Sequence, residues 1–127
     1  MTSSNRQTNI IVHVEIAVVD IHRAMNFYRD VLDITFKGTT EIHGNTMAFF
    51  PFEEGKDGAS GALAQGEVYV PSLNGAIVYF GVHDLDAVLA KAQALGSKVL
   101  FPKTAVGENH FVAEITDSEG NRIALQT

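Results

Sequence analysis

A strand whose apolar residues alternate and which runs straight into an amphipathic helix constrains this chain more than any other feature, and the chain contains that unit twice. From Val12 to Val18 the residues are Val-His-Val-Glu-Ile-Ala-Val. Val12, Val14, Ile16 and Val18 therefore share one face of a strand, and His13, Glu15 and Ala17 share the other. Asp20 follows as a candidate N-cap, its carboxylate placed to accept from the open backbone N–H groups of a first helical turn. Ile21, Ala24, Met25, Tyr28, Val31 and Leu32 then recur at helical spacing.

The second copy starts at Ala76. A strand over 76–83 ends at Asp84, and Leu85, Val88, Leu89, Ala92 and Leu95 form the apolar stripe of a helix over 85–95, with Gly96 as its left-handed C-cap. At the offset 84 − 20 = 64, Val82 falls on Val18, Gly81 on Ala17, Tyr79 on Glu15 and Ile77 on His13. An internal duplication of about half the chain is the economical reading.

Between and after the two units the chain reads as strands. The pattern predicts strands over 33–43, 46–52 and 60–65 in the first half, with the charged, glycine-bearing 53–60 stretch as a mobile loop. In the second half it predicts strands over 98–101, 110–116 and 122–126, the last two joined by a hairpin turn at 117–121. Residues 1–9 are polar and expected to be disordered. The organisation is then a first module over 10–66, a linker over 67–75 rich in turn residues, and a second module over 76–127.

Composition excludes several classes of function. The net charge of −6 argues against nucleic acid or an anionic membrane surface as a partner. There is no cysteine, which removes disulfides and thiolate metal sites and makes a reducing cytoplasm the default compartment. No apolar run reaches the length of a membrane span, and the first residues lack the apolar core of a signal peptide. With 46% hydrophobic residues, the 127-residue chain can bury one substantial core.

Specific motifs carry a family resemblance. His13-x-Glu15-x-Ala17-Val18-x-Asp20, with Phe27-Tyr28 and Val31-Leu32, resembles the first half of the vicinal oxygen chelate superfamily, the group of glyoxalase I, the bleomycin and fosfomycin resistance proteins and the extradiol dioxygenases. Val82-x-Asp84-Leu85, Gly96-x-Lys98-Val99 and Asp117-x-Glu119-Gly120-Asn121 resemble its second half. The resemblance implies an α+β fold of two βαβββ modules forming a curved mixed sheet around a cavity, with helices on the convex side, and a homodimer. It places the chain with the small glyoxalase-like members. The metal-dependent members ligate from the first and last strands of each module. On that pattern His13 holds the first ligand position, while Ile77, Ala62 and Ala124 fall on the other three and cannot ligate. A divalent metal (Ni, Zn, Fe or Mn) held by His13 and Glu15 is the reading the resemblance leaves open; the broken ligand set favours none.

Strand parity assembles the candidate site. If Val14 and Ile16 pack under a helix, the opposite parity faces inward on every strand, bringing in His13, Glu15, Tyr79, His110, Glu114, Arg122 and Gln126. His13 and Glu15 lie two apart, with α-carbons roughly 6.6 Å apart, close enough to reach one ion or one ligand. Glu15 is either a functional carboxylate or is held by Arg122 or Tyr79, with His13 as a hydrogen-bonded wall residue. Glu114 is either a general base with a raised pKa or the partner of Arg122 in a salt bridge. Tyr79 is placed either to donate to an oxyanion or to fill space with its ring. Phe50 is a candidate contact for a flat or apolar ligand, with His13, Tyr79, His110 and Arg122 completing the ligand-binding set. The expected function is binding of a small carbonyl or aromatic compound with lyase- or isomerase-type proton chemistry at Glu15, Glu114 and Tyr79. The alternative is non-catalytic sequestration of the bleomycin-resistance kind.

Overall fold

The computed structural model describes residues 9–127 and has two four-stranded mixed sheets, each with one helix. The expected disorder at 1–9 falls, but for Asn9, outside the described residues. In the first half, β1 (His13–Val18) leads into α1 (Ile21–Leu32) and then into β2 (Thr40–Ile42), β3 (Asn45–Phe49) and β4 (Ser60–Gln65). The second half repeats this with β5 (Val78–Gly81), α2 (Leu85–Ala94), β6 (Val99–Gly107), β7 (His110–Thr116) and β8 (Arg122–Gln126). The sheet orders are β1-β4-β3-β2 and β5-β8-β7-β6, with the first strand parallel to the last in each and the other pairs antiparallel. This is the α+β arrangement of two βαβββ modules.

Both helices begin as the sequence predicts. The Asp20 carboxylate accepts from the N–H groups of His22 and Arg23, and that of Asp84 from the N–H of Ala87. Asp33, with φ of 56°, ends α1 in the left-handed region, and Gly96, with φ of 99°, follows the end of α2. Ile21, Ala24, Phe27, Tyr28 and Val31 form the buried stripe of α1. They pack with Ile16, Val18 and Leu63 of the first sheet and with Ala113, Ile115, Ile123 and Leu125 of the second. Each fully buried aliphatic side chain in this core contributes about 1.5–3 kcal/mol.

Several strand bounds differ from the sequence reading. Only Thr40–Ile42 of the 33–43 stretch is a strand; Ile34 and Phe36 pack against the core instead, on a segment that finds no ladder partner until Thr40 meets Met47. The third strand stops at Phe49, and Phe50 turns into an aromatic cluster with Tyr28, Phe36 and Phe80 at centroid distances of 5.6, 5.4 and 5.7 Å. Strand β6 runs past Pro102 to Gly107, which the sheet tolerates because β6 is an edge strand and its register shifts there.

The hairpin turn at 117–121 does more than reverse the chain. Glu119 Oε1 accepts from the Val19 and Asp20 N–H groups at 2.9 and 2.8 Å, and Arg23 Nε donates to Glu119 Oε2 at 2.8 Å. Asn121 Nδ2 donates to the Ala17 carbonyl at 2.7 Å, and the buried Tyr28 hydroxyl to Asp117 Oδ2 at 2.6 Å. The second module is thereby fastened to the end of β1 and the start of α1. Burial pushes the Glu119 carboxyl up, but Arg23, the Asp20 and Val19 amides and the Ser118 hydroxyl outweigh it and bring its pKa down to about 2. Burial, then the charge and hydrogen bond of Asp117, hold the Tyr28 hydroxyl well above its ordinary value. Among the described residues, no helix is long and apolar enough to cross a membrane.

Candidate functional site

Each sheet presents one face to the helices and a second face that no helix of the described residues covers, and strand register assigns His13, Glu15, Ser60, Tyr79, Glu114 and Arg122 to the second. In the first sheet, Glu15 pairs with Ala62 and Ala62 with Phe49, so these three form one row across the face. His13 and Ser60 pair in the row beside it, and Ala17, Ala64 and Met47 form the row on its other side. In the second sheet, Tyr79 pairs with Ala124, Ala124 with Glu114 and Glu114 with Phe101. Tyr79 thus occupies the register place of Glu15, as the offset of the duplication requires, with an alanine beside it in both halves.

The first face carries a connected set of side chains. His13 Nδ1 lies 2.7 Å from Ser60 Oγ, whose hydroxyl donates to the Val12 carbonyl at 3.1 Å. His13 Nε2 lies 3.6 Å from Glu15 Oε2, and both side chains are 36% exposed. The Tyr69 hydroxyl donates to Glu15 Oε1 at 2.6 Å, and its ring rests on Met47, Ala62 and Ala64. The partner of Glu15 is therefore Tyr69, from the segment between the modules, and neither Arg122 nor Tyr79 as the sequence suggested. Both of those residues belong to the other sheet. The bond to Glu15, then burial and the carboxylate charge, raise the Tyr69 pKa above its ordinary value.

The second face is arranged differently. Arg122 Nε and Nη2 both reach Glu114 Oε1, and the Glu114 side chain is only 14% exposed. Tyr79 is half exposed. His110 is exposed, with Nδ1 3.0 Å from the Thr127 oxygen, at the far end of β7. The structure brings His13 together with Glu15, and Glu114 together with Arg122. Among the described residues, no hydrogen bond or ion pair joins these two pairs within the chain.

A cleft of about 560 Å³ opens between the modules, lined mainly by apolar residues that include Ile11, Leu32, Phe50, Ile77, Tyr79 and Phe80, with Ser60 at its edge. Phe50 and Tyr79 from the expected ligand-binding set meet there. Sequence reasoning missed Ser60 and Tyr69. Ser60 follows from pairing β1 with β4, which sequence alone does not register. The only signal for Tyr69 is the apolar Val68-Tyr69-Val70 triplet inside a turn-rich segment.

The model of the Glyoxalase/Bleomycin resistance protein/Dioxygenase superfamily matches residues 10–125. The chain belongs to that superfamily. No curated protein matches it. Among solved structures, a glyoxalase family protein from Bacillus cereus superposes with a TM-score of 0.73 at 16% identity, over 98% of this chain and 97% of its own. A glyoxylase/bleomycin resistance protein/dioxygenase domain from Frankia sp. gives 0.72 at 16% identity, covering 94% and 92%. Glyoxalase I from Zea mays gives 0.63 at 20% identity, over 90% of this chain and 44% of the maize chain, so this chain spans under half of that relative's length. At these identities the likeness shows the glyoxalase fold.

Superfamily members often bind divalent metals, and the donor set of this glyoxalase-like chain can be tested against one. His13 Nε2 and Glu15 Oε2 are near enough to share an ion. The row beside them offers Ala62, and Glu15 Oε1 is engaged by Tyr69. Among the described residues, no group of three His, Cys, Asp or Glu is arranged to hold a metal. Two donors fall short of the three or so that a catalytic divalent site requires, so the residues of one chain do not fit the group.

Proposed function

We propose that this glyoxalase-like protein binds a small aromatic or carbonyl-bearing compound against the helix-free faces of its sheets, with Glu15 as the group that meets it. The observation that carries this reading is the contrast between the two carboxylates. Glu114 is neutralised by Arg122, whereas Glu15 is oriented by a hydroxyl, meets no lysine or arginine among the described residues and keeps Oε2 on a partly open surface beside His13. A carboxylate so placed suits proton abstraction next to a carbonyl: the C–H proton passes to Glu15 and the electron pair to the carbonyl oxygen as an enolate. Tyr79, half exposed on the equivalent position of the second sheet, suits donation to that oxygen.

The exposed rings of Phe49, Tyr79 and Phe101 lie on the same faces, at 44%, 51% and 43% exposure. They support a homodimer in which a second copy supplies the facing sheet and closes the site. The acidic net charge argues against nucleic acid or membrane partners, and the cysteine-free sequence suits a cytoplasmic setting. Sequestration without turnover is the second reading, favoured by the two-donor set.

A thermal-shift panel of aryl-substituted aldehydes and ketones that carry α-hydrogens, such as phenylacetaldehyde and acetophenone, followed by deuterium exchange of those α-protons read by NMR, tests the proposal. Binding with exchange is expected for the wild type, and Glu15→Gln is expected to abolish the exchange. Binding without exchange in either form selects sequestration. No binding across the panel, or exchange untouched in Glu15→Gln, removes the role given to Glu15.

A further inference from the structure

Tyr69 occupies the first sheet's open face in the manner of a bound ligand. Its ring rests on a floor of Met47, Ala62 and Ala64, all 4% exposed or less. Its hydroxyl donates to Glu15 Oε1 at 2.6 Å, within the range of a charge-assisted O–H···O⁻ bond. Two alanines in the floor leave the depth of a flat ring where larger side chains would fill it. Beyond the ring, the segment that delivers it is next anchored at Ser72, whose N–H donates to Asn121 Oδ1 at 2.9 Å and whose carbonyl accepts from the Arg122 N–H at 3.3 Å, both in the second module. Val68 and Val70 on either side of Tyr69 are 79% and 74% exposed, and the Tyr69 N–H bonds locally to the Gly66 carbonyl at 3.1 Å. Residues 66–77 form neither helix nor strand.

We propose that this slot is a binding site for a compound bearing an aryl hydroxyl, and that Tyr69 is its internal occupant, displaced when the compound binds. The inference rests on the reading of the sheet face as a ligand site and adds both the ligand class and the device that controls access. Complementarity is already on display: a phenol fits the floor and reaches the carboxylate, because that is what the tyrosine side chain is. Displacement exchanges one phenol for another at Glu15, so the carboxylate keeps a hydroxyl donor throughout. The apparent affinity is reduced by the fraction of molecules in which Tyr69 fills the slot.

Competition gives a test whose sign differs from that of a wall residue. With p-cresol as the probe and 3-fluorotyrosine incorporated, the three tyrosines are resolved by 19F NMR and assigned by single Tyr→Phe variants. The expected result is saturable binding to the wild type that moves the Tyr69 signal to its solvent-exposed position. Tyr69→Ala is expected to tighten p-cresol about tenfold or more by removing the competitor. Glu15→Gln in that background, or 4-methylanisole in place of p-cresol, is expected to lose about as much. Tyr69→Phe keeps the ring and drops the bond to Glu15, so it tests the same competition should the alanine variant fail to fold. Binding that leaves the Tyr69 signal in place, affinity unchanged or weaker in the Tyr69 variants, or no binding to the wild type overturns the inference. An aromatic aldehyde that binds the wild type with Tyr69 unmoved would overturn it while leaving the broader ligand-site reading intact.

Discussion

The two halves share one topology and use their last turn in opposite ways. In the first half, β3 and β4 are joined by an exposed, charged stretch whose glycines take positive φ at Gly55 and Gly58. In the second, β7 and β8 are joined by the five residues 117–121, of which Asp117, Glu119 and Asn121 are buried and bonded to the first half. The open faces differ as well. Glu15 is met by a hydroxyl from the inter-module segment, and Glu114 by a guanidinium from its own sheet. A duplicated scaffold thus fixes where side chains stand and leaves their chemistry free to diverge.

The comparison can be broken most forcefully at Glu119. Glu119→Ala takes the acceptor from the Arg23 guanidinium and from two backbone amides at the start of α1. Arg23 is half exposed and water takes up its guanidinium, so the two amides left without an acceptor carry the loss, expected at about 3 kcal/mol in urea unfolding. The same carboxylate sets a pH dependence. Its pKa is about 2 in the folded protein against an ordinary 4.5. Its contribution is therefore complete above pH 4.5 and lost as pH falls from there toward 2. Glu119→Gln is expected to flatten that limb of the stability–pH curve, and an unchanged slope would assign acid sensitivity to other carboxylates.

A smaller effect is expected at Tyr28, whose hydroxyl bonds Asp117 within the core. Tyr28→Phe should cost about 1 kcal/mol, the net worth of one hydrogen bond, since Asp117 Oδ2 keeps Asn121 Nδ2 as a donor at 3.0 Å and the amides of Glu119 and Asn121 still hold the other oxygen. The smallest effect belongs to the first half's counterpart of the turn. Lys56→Ala removes an ion pair to Glu53 between side chains 72% and 73% exposed, and should change stability by less than about 0.5 kcal/mol. A loss as large as that at Glu119 would show that the 50–59 stretch fastens the fold after all.

Much of the fold was legible because it is written in local periodicity. The two aspartate caps, the parity of His13 and Glu15 against Val14 and Ile16, and the register equivalence of Glu15 with Tyr79 all follow from spacing along the chain. The 33–39 stretch misled because β-branched and aromatic residues satisfy a strand pattern whether or not a partner strand is present. Ile34 and Phe36 are apolar because they reach the core, and nothing local distinguishes that from pairing. The strand expected over 98–101 in fact continues past Pro102, because β6 is an edge of its sheet, where a missing N–H is harmless, and only the sheet order shows that.

By itself, then, the sequence determined the repeated strand–helix unit, the face on which each polar residue stands and the superfamily to which the chain belongs, all of them consequences of alternation and spacing. Only the tertiary structure decided what each of those residues touches. Tyr69 lies 54 positions from Glu15, and Glu119 lies 96 from Arg23. Contacts of that separation depend on how sheets, helices and the segment between modules close on one another. The energies that select them are differences of packing and desolvation that no local pattern records.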